Sequence, residues 1–495
     1  MKKSKISILI TGLLIFSASL FAAFNPIVNV NTTFKYNSEA KLTANGDWYT
    51  APADSYKTVQ DYLYRSNEVP GLFSFGFDWE TDHLRFVSLV DLREGYDSIL
   101  TNTSYSNIPF VGNTVSAILD MNFPRLAFVE GGYGGFYGSI GRRQIKWGPG
   151  LYDMAINDSA PYLDNLYLSY TNSGWTYNFI QVGFSNVALN GPEKKSEFNK
   201  NLFAHRLTWA NDHIRVGIGE LNMVYNTVPS LLDLTPLGIW HNLYQDEHSN
   251  VLMHLSMEGK IKDARVYGVF AMDDLDLPGE PENNVKPAAM GYTLGFEWHV
   301  LEGNEYKDAT IAPSSYLLSE ATFKEDNGLN IGLDLNYTTN YMYNRRSYVD
   351  DPNTWWGHDE IGKYTVPMRY HTFSGYISDK DAYFLGFPYG PGVFLGTLYA
   401  DWQAANYYVN GSIEYMMRGS ARIEDDLYKL SLTENMKANW FKLKDLINHI
   451  LNFNVDGGYT FLDQNITLKG AFHLAYDITR SKVEPAATLS FAWSL

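Results

Sequence analysis

The amino-acid sequence predicts an all-β protein, a transmembrane antiparallel β-barrel of the outer-membrane type with about 18 strands, within a range of roughly 16–20. Three observations predict this fold class. The chain begins with an export signal, its strands alternate between apolar and polar residues, and its last residues form one more alternating strand. Together they predict a location in the cell outer membrane of a diderm bacterium.

The N-terminus has the three parts of a secretory signal peptide. Three lysines among the first five residues precede an apolar run over 6–16. Small residues before Ala22 and Ala23 suit cleavage there, so we expect residues 1–23 to be a signal peptide that is removed. An uncleaved anchor helix is the alternative, but no second apolar run of helical length follows in the sequence.

The composition excludes several classes of function. The formal net charge is −17, and loss of three signal-peptide lysines brings the mature chain to about −20, which argues against binding nucleic acid through its phosphates. The chain has no cysteine, which excludes disulfides, thiolate metal sites and cysteine nucleophiles. Tyr (36) outnumbers Phe (28), as expected where rings lie at the boundary between lipid and water. We predict no cofactor and no metal site.

The segment 24–69 is rich in Asn and Thr near its start, which predicts an irregular element at the periplasmic end of the barrel or a plug inside it. Residues 55–64 fit one short helix in this segment, with Ser55 as its cap. The sequence therefore divides into a signal peptide, this N-terminal segment and a barrel over 70–495.

Beyond about residue 72 the apolar pattern has a period of two, and strands pair across tight polar turns. The predicted hairpins are 202–209 with 214–219, 251–260 with 265–272, 393–402 with 407–416, and 459–462 with 466–476. The long irregular stretches between them are 221–249, 273–288, 301–327 and 340–380. Short turns at one end and long loops at the other are typical of outer-membrane barrels.

The last strand shows the alternation most clearly. Its apolar positions are Ala487, Leu489, Phe491, Trp493 and Leu495. This pattern resembles the C-terminal insertion signal of outer-membrane barrels, so the barrel-assembly machinery and outer-membrane lipid are expected partners. A soluble β-sandwich or propeller is the competing fold, but the chain has no blade-length repeat. Residues 435–451 fit an amphipathic helix as well as a strand, and the sequence does not decide between them.

A break in the strand pattern is the most informative feature. The stretch 141–150 reads Gly-Arg-Arg-Gln-Ile-Lys-Trp-Gly-Pro-Gly, and 157–161 reads Asn-Asp-Ser-Ala-Pro. Proline lacks an N–H and glycine favours turns, so a strand cannot continue here, and we expect the chain to fold inward over the lumen. The residues that define this structural motif are Gly141, Gly148, Pro149, Gly150 and Pro161.

The charged and aromatic residues of this stretch have two interpretations. Arginine forks pair with carboxylates, which belong either to an acidic sugar or to the barrel itself, for example Glu220, Asp273 or Asp274. Trp147 either offers a flat face to a sugar ring or packs the turn. The sequence leaves both interpretations open.

A second block of motifs follows in the order His205-Arg206-Leu207, Gly219-Glu220, Thr235-Pro236-Leu237 and Asn250-Val251-Leu252. Together with 141–161, it resembles the capsule-assembly (Wzi-like) family over residues 120–280. The sequence departs from the family pattern at Thr235, where the family has Asn. The resemblance implies a barrel of eighteen or so strands with a small periplasmic helical element, and a lectin-like role in holding capsular polysaccharide.

The candidate ligand-binding residues come from this resemblance and from aromatic residues in predicted loops. They are Arg142, Arg143, Trp147, Asn157, His205, Arg206, Glu220, Trp355 and Trp356. Tyr389, in a Tyr-Gly-Pro-Gly turn, is a further candidate for stacking on a sugar. We expect surface polysaccharide as the partner and a monomeric protein.

Other functions are weighed against this one. A porin or substrate-specific channel is the alternative, since an acidic lumen favours cations or neutral solutes. A barrel hydrolase is disfavoured because His205 lies far along the chain from Asp273 and Asp274, and no serine is placed as a nucleophile. We therefore predict no enzyme. The acidic loop residues lack the spacing of a Ca²⁺ site, so we predict no Ca²⁺ site in the loops either.

Overall fold

The computed structural model describes residues 23–37, 40–42, 48–50, 70–92, 104–108, 124–184, 187–190, 195–225, 227–236, 238–240, 249–274, 289–308, 313–325, 327–344, 362–372, 375–421, 443, 447–461 and 465–494. Among these residues, no helix is long and apolar enough to cross a membrane. Several predicted features lie outside them: the signal peptide up to residue 22, the helix over 55–64, Trp355 and Trp356, and most of 435–451, of which 448–451 begin a strand.

Eighteen strands form the wall. They are β1 (Ala23–Asn37), β2 (Phe73–Glu80), β3 (Leu84–Leu92), β4 (Leu126–Tyr133), β5 (Phe136–Arg143), β6 (Leu163–Asn172), β7 (Trp175–Gly183), β8 (Lys200–Ala210), β9 (Ile214–Tyr225), β10 (Ser249–Ile261), β11 (Ala264–Asp274), β12 (Ala289–Leu301), β13 (Gly328–Thr338), β14 (Val393–Ala404), β15 (Tyr407–Arg418), β16 (Asn448–Phe461), β17 (Ile466–Asp477) and β18 (Lys482–Ser494).

The wall is a closed antiparallel barrel. Each strand pairs with its sequence neighbours, and β1 pairs on one side with β2 and on the other with β18. Closure leaves no strand edge unpaired, which a lipid-embedded sheet requires. The predicted fold class and the central strand number are therefore confirmed.

Shorter elements lie outside the wall ladder. Ser104–Ser106 adds to β1, and three small hairpins are Ala40–Leu42 with Trp48–Thr50, Val187–Asn190 with Lys195–Phe198, and Thr365–Thr372 with Gly375–Phe384. The two-residue strands Ile145–Lys146 and Leu318–Ser319 pair in parallel, and Pro313–Tyr316 is one 3₁₀ turn.

The interpretation of the first residues after the signal as irregular is wrong for 24–37, because this stretch is most of β1. Asn29, Asn31 and Thr33 are buried on the lumen side, whereas Phe34 and Tyr36 are exposed on the outside. Asn is depleted in ordinary strands, but it suits the inner face of a barrel, where polar groups find hydrogen-bond partners. The barrel therefore begins before residue 70.

The connections differ at the two ends of the barrel. The short-turn end has the connections 81–83, 134–135, 173–174, 211–213, 262–263, 405–406 and 462–465. At the long-loop end, every connection except 478–481 spans more than ten residues. Short turns are periplasmic in outer-membrane barrels and long loops extracellular. One predicted long loop, 301–327, is on the other side from the rest: residues 302–327 join β12 to β13 at the short-turn end.

The outer face of the wall is apolar. Along β12, Leu294 is 63% and Trp298 51% exposed, whereas Thr293 and Glu297, each one position earlier, are buried. On β18, Leu489, Phe491 and Trp493 are likewise exposed on the outside. Large apolar side chains that point out of a closed barrel at every second position are lipid-facing.

Candidate functional site in the barrel lumen

Residues 144–162, here the outer plug segment, leave β5 at the long-loop end and fold into the lumen before β6 begins. Gly148 has φ +78°, and a Cβ built there would lie 2.0 Å from Oδ2 of Asp153. A side chain at this position would therefore clash and strain the backbone. The predicted inward break at Gly-Pro-Gly is present in the structure.

The tip of the outer plug segment is held by wall strands on the far side. Arg265 Nη1 donates to the carbonyl of Pro149 (3.1 Å), and the Leu151 N–H donates to Oδ2 of Asp334 (3.1 Å). Within the segment, Lys146 Nζ donates to the Leu151 carbonyl (2.7 Å). Burial lowers the pKa of the Lys146 ammonium. The tip is thus tied to β11 and β13, across the lumen from β5.

Asp153 organises the returning half of the segment. Its Oδ1 accepts the N–H groups of Ala155 (2.7 Å) and Ile156 (3.0 Å), and its Oδ2 lies 3.3 Å from Nε2 of His254 on β10. Burial alone would raise the pKa of this carboxyl, but His254 and the backbone donors outweigh it and hold the pKa below its usual value. The Asp153 carboxylate therefore links the outer plug segment to His254 on the wall strand β10.

Trp147 is buried in the apolar cluster that fills the upper lumen. Its side chain is 1% exposed and belongs to the cluster that includes Met154, Ile156 and Phe387, and the backbone N–H of Trp147 donates to the Ile156 carbonyl (2.9 Å). The indole N–H has no hydrogen-bond partner in the described part of the chain. Trp147 therefore packs the turn, as one of the two interpretations has it.

Asn157 also has a structural place. Its Oδ1 accepts the Asp153 N–H (3.1 Å), its Nδ2 donates to Ser159 Oγ (2.9 Å), and its own N–H donates to the Leu385 carbonyl (2.7 Å). Pro161 is buried at the end of the same turn. The bond to Leu385 joins the outer plug segment to the long β13–β14 connection, and the other two hold the turn itself.

Residues 302–327, here the inner plug segment, enter the lumen from the short-turn end and follow the wall. Near their start, the Lys307 N–H donates to the Ala405 carbonyl (3.0 Å), and Tyr306 Oη lies 2.8 Å from Oγ1 of Thr460. Asp308 forms an ion pair with Lys469 on β17. This part of the segment is thus bound to the β14–β17 side of the barrel.

The same segment then reaches the opposite wall. Tyr316 Oη donates to Oδ2 of Asp78 on β2 (2.9 Å), and Glu320 forms a buried ion pair with Arg206 on β8 (2.7 Å). Further on, the Phe323 N–H donates to Oε1 of Glu258 on β10 (3.0 Å). The described parts of the inner plug segment therefore contact strands around most of the circumference.

The two plug segments meet inside the barrel. Leu318 and Ser319 pair in parallel with Ile145 and Lys146, and the Leu318 N–H donates to the Gln144 carbonyl (3.0 Å). One segment comes from each end of the barrel, so the contact joins the two halves of the lumen filling.

The predicted arginines pair with carboxylates of the protein, but not with those expected. Arg143 faces the lumen and binds Glu130 (2.8 Å), and Arg206 binds Glu320. Arg142 lies on the outer face and forms a bidentate pair with Asp164 (2.6 and 2.8 Å). The expectation of Glu220 as a lumenal partner is wrong, because Glu220 lies on the outer face beside His205, whereas Arg143 and Arg206 face the lumen.

His205 and Glu220 are also on the outer face. They are direct partners in the β8–β9 ladder, and their neighbours Leu202, Ala204, Leu221 and Met223 face the lumen cluster. Gly141, at φ +143°, leaves room for β4, since a Cβ would lie 2.2 Å from the Ala127 carbonyl oxygen. The predicted site residues are thus divided between lumen and exterior rather than gathered in one site.

Several residues that hold the lumen filling were not singled out from the sequence: Asp153, His254, Arg265, Glu320 and Asp334. A signal for Glu320 existed, since connections alternate between the ends of a barrel and strand parity places 302–327 at the short-turn end. A long connection at that end has the lumen beside it, where a charged residue requires a partner.

Comparison with known proteins gives similarity in structure only. No family model matches the sequence, and no curated protein matches it. Wzi of Escherichia coli, a carbohydrate-binding outer-membrane β-barrel involved in group 1 capsule assembly, is 11% identical, with 98% of this chain and 87% of that chain covered and a TM-score of 0.48. OccK3 of Pseudomonas aeruginosa is 8% identical (95% and 96% covered, TM-score 0.43), and OprD of the same organism 7% (95% and 95%, 0.42). Similarities at this level carry no argument about the function of this chain.

Proposed function

We propose that this chain is a non-enzymatic outer-membrane barrel that binds surface polysaccharide at its long-loop end and does not use its lumen as a solute channel. The observation that carries the second half of this proposal is the meeting of the two plug segments at Leu318–Ser319 and Ile145–Lys146. A porin needs a continuous aqueous path. The two plug segments, which are hydrogen-bonded to several wall strands, lie in the path that an aqueous channel would take.

Support for polysaccharide as the ligand comes from the sequence motifs over 120–280 and from one aromatic cluster. Tyr152, Phe387 and Tyr389 have ring centroids 5.5–5.9 Å apart where the outer plug segment meets the β13–β14 connection. Tyr152 and Tyr389 are partly exposed. Partly exposed tyrosine rings, each with a hydroxyl at its edge, suit contact with a sugar.

A substrate-specific channel is the second candidate, and the charged lumen favours it. Ion pairs line the wall, with Arg85 on Asp78, Arg143 on Glu130 and Arg265 on Glu258 and Glu297. Fixed charges of both signs would orient a polar solute if the inner plug segment moved aside.

Conductance of the purified protein in planar bilayers tests the choice between these functions. We expect the full chain to give no large steady currents. A variant with 304–325 replaced by Asn-Gly should give them, because most of the inner plug segment has been removed from its lumen. The shortened variant is the matched control that shows the assay detects an open barrel. Large steady currents from the full chain would refute the proposal in favour of the channel.

Polysaccharide binding is tested in the source strain. We expect deletion of the gene to leave total surface polysaccharide unchanged and to shift polymer from the cells to the medium. Return of the full chain restores retention, and return of Tyr389→Ala restores it only partly. Unchanged retention in the deletion strain would exclude this role.

A further inference from the structure

The β9–β10 connection lies against the outside of the barrel. Its described residues are 227–236 and 238–240. The Trp240 ring stacks on the imidazole of His205 (centroids 4.1 Å apart), and the backbone N–H of Trp240 donates to Oε2 of Glu220 (2.6 Å). Since His205 and Glu220 point away from the lumen, the connection turns back from the rim and covers the outer face of β8 and β9.

The covered surface is polar at its centre. Asn222 Nδ2 lies 3.5 Å from Oδ1 of Asp233, and Oδ2 of the same carboxylate accepts the Ser230 N–H (2.6 Å). Phe179, Phe203, Val224 and Trp240 form a small apolar cluster around these groups. Trp240, Asp233 and Asn222 are fully buried although Asn222 belongs to the outer face of a membrane strand.

The height of these groups decides what would otherwise surround them. Glu220 is six residues beyond Ile214, the first residue of β9, which puts it about 15 Å above the short-turn end for a strand tilted by roughly 40°. The apolar band of such barrels is about 25 Å tall. Without a cover, Glu220 and Asn222 would therefore face acyl chains, where a carboxylate is costly.

The side of this connection that faces away from the barrel is apolar. Val228 is 81% and Leu231 85% exposed, and Leu234 and Ile239 are exposed beside them. Turn bonds from the Asp233 N–H to Ser230 and from the Leu234 N–H to Leu231 fix this crest. The connection contacts Glu220, two positions beyond the lipid-facing Ile218, whose ladder partner Leu255 is also exposed, so the crest continues the lipid-facing surface of the wall.

We propose that residues 227–236 and 238–240 form a membrane-contacting flap. Its crest lies among the acyl chains of the outer leaflet, and its inner side seals the His205–Glu220 pair from lipid. The partner is the lipid bilayer itself, since the crest continues a surface that already faces lipid. A second copy of this chain on the crest is the competing occupant, and it is one outcome of the test.

Because the sequence contains no cysteine, a spin label attached to one introduced cysteine reports on that position alone. Leu231→Cys carries the label in the full chain reconstituted in phosphatidylcholine liposomes, and its accessibility to oxygen, which favours lipid, is compared with that to a water-soluble nickel chelate. Ile218→Cys on the outer wall is the lipid control, and Asp263→Cys in a periplasmic turn is the aqueous control. Heat-modifiable gel migration shows that each variant is folded.

We expect the ratio of oxygen to nickel accessibility at Leu231→Cys to lie nearer to that of Ile218→Cys than to that of Asp263→Cys. A ratio nearer to the aqueous control overturns the proposal, because the crest is then in water. Low accessibility to both reagents also overturns it, because the crest is then covered by protein. Neither result bears on polysaccharide binding, so this inference and the proposed function are tested separately.

Discussion

The two plug segments fill the same lumen by different physical means. The outer plug segment is bound mainly by apolar packing: Ile145, Trp147, Met154 and Ile156 are all fully buried in one cluster. The inner plug segment is bound mainly by single polar contacts, such as Tyr316 to Asp78, and several of its side chains are exposed. Apolar packing is lost only by separating the whole surface, whereas polar contacts are exchanged for water one at a time.

This difference predicts which segment opens first. The outer plug segment should unfold only with the barrel, as part of its core. The inner plug segment should open locally at a lower free energy, because few buried apolar contacts hold it. Three experiments address the contrast.

The largest effect is expected from Trp147→Ala. Truncation leaves a cavity in the apolar cluster, so we expect a loss of about 3–5 kcal/mol in the free energy of unfolding. Trp298→Ala is the matched control, since Trp298 faces lipid and its loss should cost about 1 kcal/mol or less. The measurement is denaturant unfolding in detergent. Equal losses for both variants would show that the outer plug segment is not part of the core.

Glu320→Gln should act on the inner plug segment alone. It leaves Arg206 buried without its counter-ion, a cost of about 3 kcal/mol, so we expect hydrogen exchange of the Leu318 amide to accelerate on the order of a hundredfold. Lys260→Met, which breaks a more exposed pair with Glu325, should change it by about fivefold or less.

The amide of Trp147 is the internal reference for this experiment, since it donates within the outer plug segment. Its exchange should stay unchanged in Glu320→Gln. If both amides accelerate together, the two segments open as one unit and the contrast between them fails.

The smallest effect concerns acid. Because the folded pKa of Asp153 lies below its ordinary value of 3.8, its contribution to stability is complete above that pH and is lost as the pH falls through the folded pKa. At pH 7, Asp153→Asn should cost about 1 kcal/mol, since the amide oxygen still accepts backbone N–H groups. Melting at pH 7 and pH 3 should show a smaller acid-induced loss in Asp153→Asn than in the unchanged chain. An equal loss in both proteins would assign the acid sensitivity to other groups.

The barrel was predictable because its outer face must be apolar at every second position, whatever the lumen holds. Leu489, Phe491 and Trp493 illustrate this, and their alternation alone predicts the lipid-facing side of β18. Strands β8 and β9 lack this simple alternation. There the lumen is filled with apolar residues and the outside is covered by the flap, so both faces carry residues such as Leu202 and Phe203.

The candidate site was harder to predict for the same reason. Period two separates Arg142 from Arg143 and His205 from Arg206, but it does not say which of each pair faces in. That choice depends on contacts such as Arg206 with Glu320, which are distant in sequence. The Gly-Pro-Gly break was predictable because it rests on backbone chemistry that is local to three residues.

The seam between β1 and β18 sets an order of assembly. Every other contact between neighbouring wall strands forms between segments that follow one another in the chain, whereas Thr33 and Ser490, joined by a 2.9 Å hydrogen bond, are 457 positions apart. The wall is therefore an open, curved sheet until its final strand arrives, and loop closure over such a separation is slow. The two plug segments enter through the ends of the barrel, so their docking, unlike the pairing of β1 with β18, does not have to wait for the last strand or precede closure.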